Sequence, residues 1–325
     1  MATRADDLID RRRLRRKLTF WRLGAIVLAL VAFAVGAMIG FGPGLGPMSD
    51  HIARLKIEGT ITEDEDLLER IEDIRTSAAV KGVILSIDSP GGTTAGGEAI
   101  FDAVRKLAAD KPVVAQVGTL AASAGYMIAS ATDHIVARKS SIVGSIGVLV
   151  QYPDVTGLMD KIGVKLEEVK SSPLKAEPSP FNTTTEEERA MVRRMIMDSY
   201  DWFVGLVEDR RKLSRADVLR LADGSVFTGR QALDNKLIDE LGGEAEAIAW
   251  LGSKGVDAKL EVIDWKPRDS ASGFPLLGKA LFRSVARLLG YPDESGDLLR
   301  QLGAERLFLD GLLSVWQPEK SRLAD

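Results

Sequence analysis

Two side chains of this chain have the types and settings that hydrolysis by a nucleophile requires. Ser123 stands among small residues in the run from Ala121 to Tyr126, and Lys175 follows 52 positions later in a proline-bordered, apolar segment. A serine hydroxyl becomes a good nucleophile only when a base removes its proton, and a lysine amine can be that base when burial disfavours its charged form. The chain has two histidines and no cysteine. With so few alternative catalytic residues, Ser123 and Lys175 together predict a peptidase, in which Ser123 is the nucleophile and Lys175 the general base.

Acyl transfer also needs hydrogen-bond donors for the developing oxyanion. The run Asp88-Ser89-Pro90-Gly91-Gly92 follows a predicted buried strand. Two glycines after a proline can turn their backbone amides toward one point, so Gly91 and Gly92 are the candidate donors. The amide of Ala124, at the start of a predicted helix, is a further candidate. The hydroxyl of Ser171 or Ser172 is the candidate that orients the lysine amine.

Each of these features also has a structural explanation when it is taken alone. Ser123 could be a helix N-cap, Lys175 a solvated loop lysine, and the two glycines a tight turn. His51, close to the linker, and His134, at the start of a predicted strand, are interpreted as structural residues. The glycine run lacks the spacing of a phosphate-binding loop. No cofactor or metal site is expected, and the absence of cysteine excludes disulfides and thiolate chemistry.

Charge is distributed unevenly along the chain. Residues 1–22 carry eight basic and three acidic groups, whereas the whole chain has a net charge of -4. The body is therefore acidic, which argues against nucleic acid as a partner because phosphate binding needs a basic face.

An uncharged run of 20 residues, from Leu23 to Gly42, follows the basic block. A helix of that length spans about 30 Å, the thickness of the hydrocarbon core. Phe20 and Trp21 lie at the basic end, where aromatic side chains prefer the interface. The basic residues should stay in the cytoplasm and the body should lie outside. We interpret the run as an uncleaved membrane anchor, in preference to a cleaved signal peptide or a buried core helix.

The remainder alternates between strand and helix patterns, which implies an α/β fold with a largely parallel sheet and helices on its faces. Strands are predicted at residues 52–57, 83–87, 112–117, 135–137 and 260–263, and helices at 67–74, 96–107, 123–131, 185–211, from 214, 276–289 and 298–315. The domain boundaries are a basic cytoplasmic N-terminus (1–22), a transmembrane helix (23–42), a linker (43–50), a peptidase domain (51–265) and a helical C-terminal extension (266–325).

Several ordered motifs together resemble signal peptide peptidases of the SppA type over residues 50–265. They are the Asp-Ser-Pro-Gly-Gly run, Ala-Ser-Ala-Gly-Tyr, Val143-Gly-Ser-Ile-Gly147, Lys-Ser-x-x-x-Lys, the segment 223–232 and the segment 237–242. Asp88 and Ser172 depart from the family, in which asparagine and glycine are frequent at these positions.

The resemblance implies a ClpP/crotonase-like fold and a membrane-anchored serine endopeptidase that degrades released signal peptides and other apolar peptides. It assigns the nucleophile to Ser123, the base to Lys175 and the oxyanion glycine to Gly91. It also implies a homo-oligomeric ring or dome, for example of eight subunits, in which the serine and lysine can come from neighbouring copies. The implied location is the bacterial inner membrane, with a single pass, lipid contact and the catalytic domain outside.

Two other classes remain open from the residues. A catalytically inactive membrane scaffold would keep the fold without a reactive serine. A crotonase-type acyl-CoA hydratase or isomerase would share the glycine turn but use carboxylates as acid and base.

Overall fold

The computed structural model of the chain describes residues 20–31, 49–267 and 313–315. The chain divides into two compact units, residues 1–49 and 50–325. In the first unit, residues 20–31 form a helix, α1. Most of the predicted basic N-terminus and linker, and residues 32–42 of the predicted anchor, lie outside the described residues. Within the described part of the chain, none of the helices combines the length and apolar character needed to cross a membrane.

The second unit is a mixed α/β sheet with helices around it. Its strands are β1 (His51–Ile61), β2 (Val80–Thr93), β3 (Val113–Ala122), β4 (His134–Ala137), β5 (Ile142–Gly144), β6 (Val226–Thr228), β7 (Glu240–Leu241), β8 (Val262–Asp264) and β9 (Leu313–Val315). Its helices are α2 (Glu65–Thr76), α3 (Thr94–Asp110), α4 (Ala124–Ser130), α5 (Thr156–Ile162), α6 (Glu186–Arg211), α7 (Arg215–Leu221), α8 (Gly229–Asp234) and α9 (Glu244–Ser253).

The sheet is mostly parallel, as the alternation of strands and helices predicts. The strand order is β6-β5-β3-β2-β1-β8, with β4 paired to β3 and β7, and with β9 paired to β2. The pairs β5·β6 and β2·β9 are antiparallel. Strand β3 pairs with β4 through its first half and with β5 through its last three residues. The end of β3, from which the chain turns into α4, is therefore held by β5 and not by β4.

Strand β2 is longer than the sequence predicts. The Asp-Ser-Pro-Gly-Gly run, expected to follow the strand at residues 83–87, continues it as far as Thr93. Register shifts after Ile87 on one side and after Glu58 on the other mark where the strand bends. Beyond the bend, Gly91 and Gly92 still pair with Thr60 and Ile61 of β1. The glycines are therefore held by the sheet itself.

Helix α6 follows the sequence closely. Thr185 and Glu188 form the predicted capping box, in which each side chain accepts a hydrogen bond from the other residue's backbone amide. The buried residues Phe203, Val204 and Val207 attach its second half to the main core. Helix α6 thus runs from the Lys175 segment to the helix that follows Ser123.

The predicted helix at residues 298–315 is wrong at its last three residues. Residues 313–315 were expected to end a helix beginning at 298, but they form strand β9, antiparallel to Gly91–Thr93. An amphipathic pattern does not reveal that a strand edge with unpaired amides and carbonyls elsewhere in the chain offers an alternative partner. The rest of the predicted extension, residues 268–312 and 316–325, lies outside the described residues.

Candidate active site

Ser123 lies in the sharp turn between β3 and α4. Its backbone has φ 58° and ψ -120°, and the residue is 1% exposed. Its amide donates to the carbonyl of Gly144 (2.8 Å), and its carbonyl accepts from the amide of Met127 (2.9 Å). The side chain occupies the N-cap position but does not make the capping hydrogen bond.

A positive φ is uncommon for a residue with a side chain and marks candidate functional sites. The strained turn between a strand and a helix is the geometry that presents the nucleophile in α/β-hydrolases, where small residues stand two positions before and after the serine. Ala121 and Gly125 fill those positions here. This local signal was present in the sequence, and the structure gives it a geometric meaning.

The turn packs directly on the bent end of β2. Ser89 pairs with Ala121 across the two strands. A Cβ added to Gly125 would lie 3.0 Å from the carbonyl oxygen of Ser89. The Ser89 hydroxyl donates to the Gly59 carbonyl (2.6 Å) and accepts from the Gly91 amide (3.1 Å). The structure therefore brings the predicted nucleophile and the predicted glycine run to the same end of the sheet.

The two glycines of that run differ in their surroundings. Gly91 has φ 105°, and its amide is directed at Ser89 Oγ in this conformation. A Cβ on Gly92 would lie 1.8 Å from the Ile61 carbonyl oxygen, so no side chain fits there. Ala124 is the first residue of α4, and the first amides of a helix have no partner within that helix. The amide of Ala124 is thus a candidate donor that does not depend on breaking the Ser89 contact. Gly92 also lacks the Ser89 contact, but it is paired with Ile61 of β1 and Ser314 of β9.

The side of this bent segment that faces away from β1 pairs with a short extended strand, β9. Gly91, Gly92 and Thr93 pair with Val315, Ser314 and Leu313 of β9 in antiparallel orientation. The opposite side is occupied by β1. A peptide bound beside the glycine run would make the same main-chain contacts as β9.

Lys175 lies in a turn between α5 and α6 and is exposed in the single chain. Its amide donates to the Ser172 carbonyl (3.1 Å), and the next residue, Ala176, has φ 63°. Ser171 and Ser172 are exposed as well. Ser123 is buried whereas Lys175 is not, so the single chain does not supply the apolar surroundings that a neutral lysine needs.

A carboxylate anchors the Lys175 turn. Glu177 accepts hydrogen bonds from the Ser179 amide (2.7 Å), the Asn182 side chain (2.9 Å) and Lys170 Nζ. Lys170 also contacts Glu168 (2.5 Å). These contacts, led by Lys170, hold the pKa of Glu177 below its ordinary value, and Glu168, followed by Glu177, raises the pKa of Lys170.

The same segment presents apolar side chains to solvent. They lie in α5, in the irregular stretch that follows it and beyond Lys175, and they are Leu158, Ile162, Val164, Leu166, Val169 and Phe181. We call these six residues the apolar face. In the described part of the chain, Asn182 Oδ1 is a buried side-chain acceptor for which no hydrogen-bond partner is found. The apolar face is therefore accessible in the single chain, whereas Asn182 Oδ1 is not.

The helix behind Ser123 is anchored by residues that the sequence did not single out. Arg105 donates to the Ala131 carbonyl (2.8 Å), and Arg210 donates to the carbonyls of Ser130 (3.0 Å) and Thr132 (3.1 Å). These cations neutralise the carbonyl end of α4. Their role depends on contacts between distant parts of the chain, which no local pattern encodes.

Tyr126 anchors the same helix from its other side. It is fully buried, and its hydroxyl donates to the Leu237 carbonyl (2.9 Å). This contact links the Ala-Ser-Ala-Gly-Tyr motif to the segment 237–242, two of the motifs that carried the resemblance.

The two histidines have structural contacts. His51, buried in β1, stacks on Trp265 and accepts a hydrogen bond from its indole nitrogen (3.1 Å). His134, in β4, stacks on Trp250 and contacts Glu240 (3.2 Å). Both histidines are therefore strand residues with structural contacts.

Asp88, the departure from the family pattern noted above, connects two strands. Its carboxylate accepts a hydrogen bond from the Thr119 amide of β3 (3.2 Å). The carboxylate therefore braces the end of the sheet next to the glycine run.

Comparison with known proteins adds to this geometry. The family model "Peptidase family S49" matches residues 105–259, and the model "Clp protease" matches residues 58–143. The first range contains both Ser123 and Lys175.

Similar proteins carry protease names. A protein of Methanocaldococcus jannaschii named as a protease is 35% identical over 67% of this chain and 71% of its own length. A protein of Enterococcus faecium named as signal peptide peptidase SppA is 31% identical over 70% of each chain. Protease 4 of Haemophilus influenzae is 35% identical over 61% of this chain and 34% of its own length.

Proposed function

Because the chain belongs to peptidase family S49 and is therefore a serine protease, we propose that it cleaves peptides with Ser123 as nucleophile and Lys175 as general base. The observation that carries this assignment is the backbone of Ser123, a buried serine with φ 58° in a sharp turn beside the glycine run. Strain of this kind persists only when the surrounding structure enforces it, and it clusters at catalytic sites.

The proposed mechanism follows from the roles of these groups. The neutral amine of Lys175 removes the proton of the Ser123 hydroxyl while Oγ attacks the scissile carbonyl. The amides of Gly92 and Ala124, with Gly91 when it leaves the Ser89 hydroxyl, donate to the oxyanion. The lysine then transfers its proton to the leaving amine, and it activates the water that hydrolyses the acyl-enzyme. A hydroxyl of Ser171 or Ser172 would orient the amine.

We further propose that the dyad is completed between copies in a homo-oligomeric ring or dome, for example of eight subunits. The apolar face and Lys175 are exposed on one segment, and a lysine works as a base only where burial disfavours its charge. A second copy seated on the apolar face would remove both from water.

The substrates we propose are extended apolar peptides, including released signal peptides. The bent end of β2 can pair with an added strand, as its pairing with β9 illustrates, and main-chain pairing is a common way to bind extended peptides. The small residues around Ser123 let a peptide backbone approach closely. The relative named as a signal peptide peptidase supports the same substrate class.

We also propose that residues 23–42 anchor the protein as a single pass in the bacterial inner membrane, in contact with lipid. Their uncharged 20-residue run and the preceding basic block support an N-terminus in the cytoplasm and a catalytic domain outside. An anchored protease would meet signal peptides where they are released.

The experiment compares Ser123→Ala and Lys175→Ala with the wild type, using a fluorogenic apolar peptide and a serine-reactive phosphonate probe. Each substitution should abolish turnover, and Ser123→Ala should abolish labelling. Lys165→Ala is the matched control, because Lys165 is another exposed lysine of the same segment. Turnover in either purified catalytic variant would refute the dyad.

Mixing the two inactive variants tests the shared site. If serine and lysine come from different copies, mixed oligomers of Ser123→Ala and Lys175→Ala regain some intact pairs and some activity. If the pair forms within one chain, no mixture regains activity, and the inter-copy part of the proposal is wrong while the dyad stands.

A further inference from the structure

The segment that carries Lys175 contains a carboxylate that is withdrawn from water. The Glu177 side chain is 3% exposed, although Lys175 two positions earlier is exposed. Burying a charged group is costly unless it is paired and hydrogen-bonded. Both Glu177 oxygens have such partners, since Oε1 accepts from Lys170 and Asn182 and Oε2 accepts from the Ser179 amide. A carboxylate so completely satisfied fixes the chain around it.

The partners of Glu177 are all local. They lie within residues 170–182, on both sides of Lys175. The turn is tied to the start of α5 through the hydrogen bond from the Val155 amide to the Pro180 carbonyl (2.9 Å). Glu177 therefore closes a loop around Lys175 without forming part of the sheet or of the main core.

The residue between the lysine and the carboxylate is strained. Ala176 has φ 63°, a conformation that costs free energy for any residue with a side chain. The Lys175 amide is bonded to the Ser172 carbonyl on one side, and Glu177 is fixed on the other. Ala176 is thus held in this conformation by contacts on either side of it, and the same contacts fix the backbone of Lys175, from which the side chain leaves.

We propose that Glu177 is a positioning residue for the reaction, which fixes the Lys175 turn through Lys170, Ser179 and Asn182 so that the amine reaches Ser123. The inference rests on the proposed role of Lys175 as the base. Glu177 does not touch the substrate or the reacting atoms. Its effect is on the geometry of proton transfer, where a displacement of about 1 Å can cost about 100-fold in rate.

The test is a graded series in the full-length, assembled protein. Glu177→Ala removes all three contacts and should lower kcat by about 100-fold. Glu177→Gln keeps the shape and an acceptor but loses the charge that binds Lys170, and should lower kcat by about tenfold, since a hydrogen bond to a charged group contributes about that much. KM should not change in either, because the strand edge at Gly91–Thr93 is untouched.

Glu168→Gln is the matched control. Glu168 binds the same lysine, at 2.5 Å, but its side chain is 30% exposed. Unlike Glu177, it does not bind Ser179 or Asn182 in the turn after Lys175. It should keep wild-type kcat. Oligomer size and melting temperature are measured for every variant, because a purely structural role would lower stability without lowering the kcat of the folded protein.

The outcomes separate this inference from the proposed function. If Glu177→Ala and Glu177→Gln have wild-type kcat while Lys175→Ala is inactive, Glu177 does not position the base. If Lys175→Ala is active, the dyad itself is wrong. If the Glu177 variants do not assemble, Lys170→Met tests the inference instead. It should lower kcat at constant KM, and unchanged kcat in that variant would overturn the proposal.

Discussion

The amide of Ser123 donates a hydrogen bond to the carbonyl of Gly144 at 2.8 Å, and both residues have a positive φ. The strand that bears Gly144 is in turn paired with β6, and the Ser145 amide donates to the Ser225 carbonyl (2.7 Å). The conformation of the nucleophile therefore depends on Gly144, in a short strand 21 residues later in the sequence. A substitution that displaces β5 should therefore also displace Ser123.

Gly144→Ala should reduce kcat by about 100-fold, the cost of a misplacement of about 1 Å. A Cβ at Gly144 would lie 2.9 Å from the Phe227 ring and 3.0 Å from the Ser225 carbonyl, and φ 105° is unfavourable for alanine. Peptidase kinetics on the folded variant measure the effect. Gly205→Ala is the control, since a Cβ there meets nothing within 4 Å and alanine favours a helix interior. Equal kcat in both variants would mean that β5 does not position the nucleophile.

Arg210→Met should lower the free energy of unfolding by about 2–3 kcal/mol, the range for losing hydrogen bonds to a charged group. The substitution keeps the apolar stem but leaves the carbonyls of Ser130 and Thr132 without this donor. Urea denaturation gives the value. Arg194→Met, on the exposed side of the same helix, should change stability little. A loss no larger at Arg210 than at Arg194 would show that the carbonyls are satisfied in another way.

Replacing residues 313–315 by three prolines should lower KM for peptide substrates. Proline has no amide hydrogen to donate, so β9 could no longer compete for the edge formed by Gly91–Thr93. Replacement by three alanines keeps the amides and is the matched control. Steady-state kinetics of the two variants decide the matter, and an identical KM would show that β9 does not occupy the peptide site in solution.

The Lys175 turn should remain ordered from about pH 5 to about pH 10. Lys170 lowers the pKa of Glu177, so this carboxylate stabilises the turn above its unfolded pKa and the stabilisation is lost as the pH falls. The pKa of Lys170 is raised, first by Glu168 and then by Glu177. The stabilisation that the charged Lys170 gives the turn is therefore lost only when the pH rises above the pKa of a free lysine.

Hydrogen exchange at Ser179 measures this order, because its amide donates to Glu177. The protection factor should fall at acidic pH in the wild type. In Glu177→Gln it should be lower at neutral pH and change less with acid, because no charge is left to titrate. Acid loss of equal size in both proteins would assign the effect to another group.

The sequence allowed the main strands, the Ser123 turn and the start of α6 to be predicted, because each is encoded locally. Alternation places Ile52–Ile57 in a strand, and Thr185 with Glu188 defines a helix start. The continuation of β2 through Gly91 and Gly92 could not be predicted, since those glycines are held by Thr60 and Ile61, 31 residues earlier. Glu177 was missed for a similar reason, because its burial results from the loop closing around it and not from an apolar pattern.

The bent end of β2 offers hydrogen bonds only to a main chain whose own amides and carbonyls are unpaired. In a folded domain those groups are already hydrogen-bonded within helices and sheets, so few are left to pair with Gly91–Thr93. Selection at this edge would then depend on the conformational state of the polypeptide more than on its order of residues. An unfolded segment of an otherwise intact protein would be as vulnerable as a free fragment.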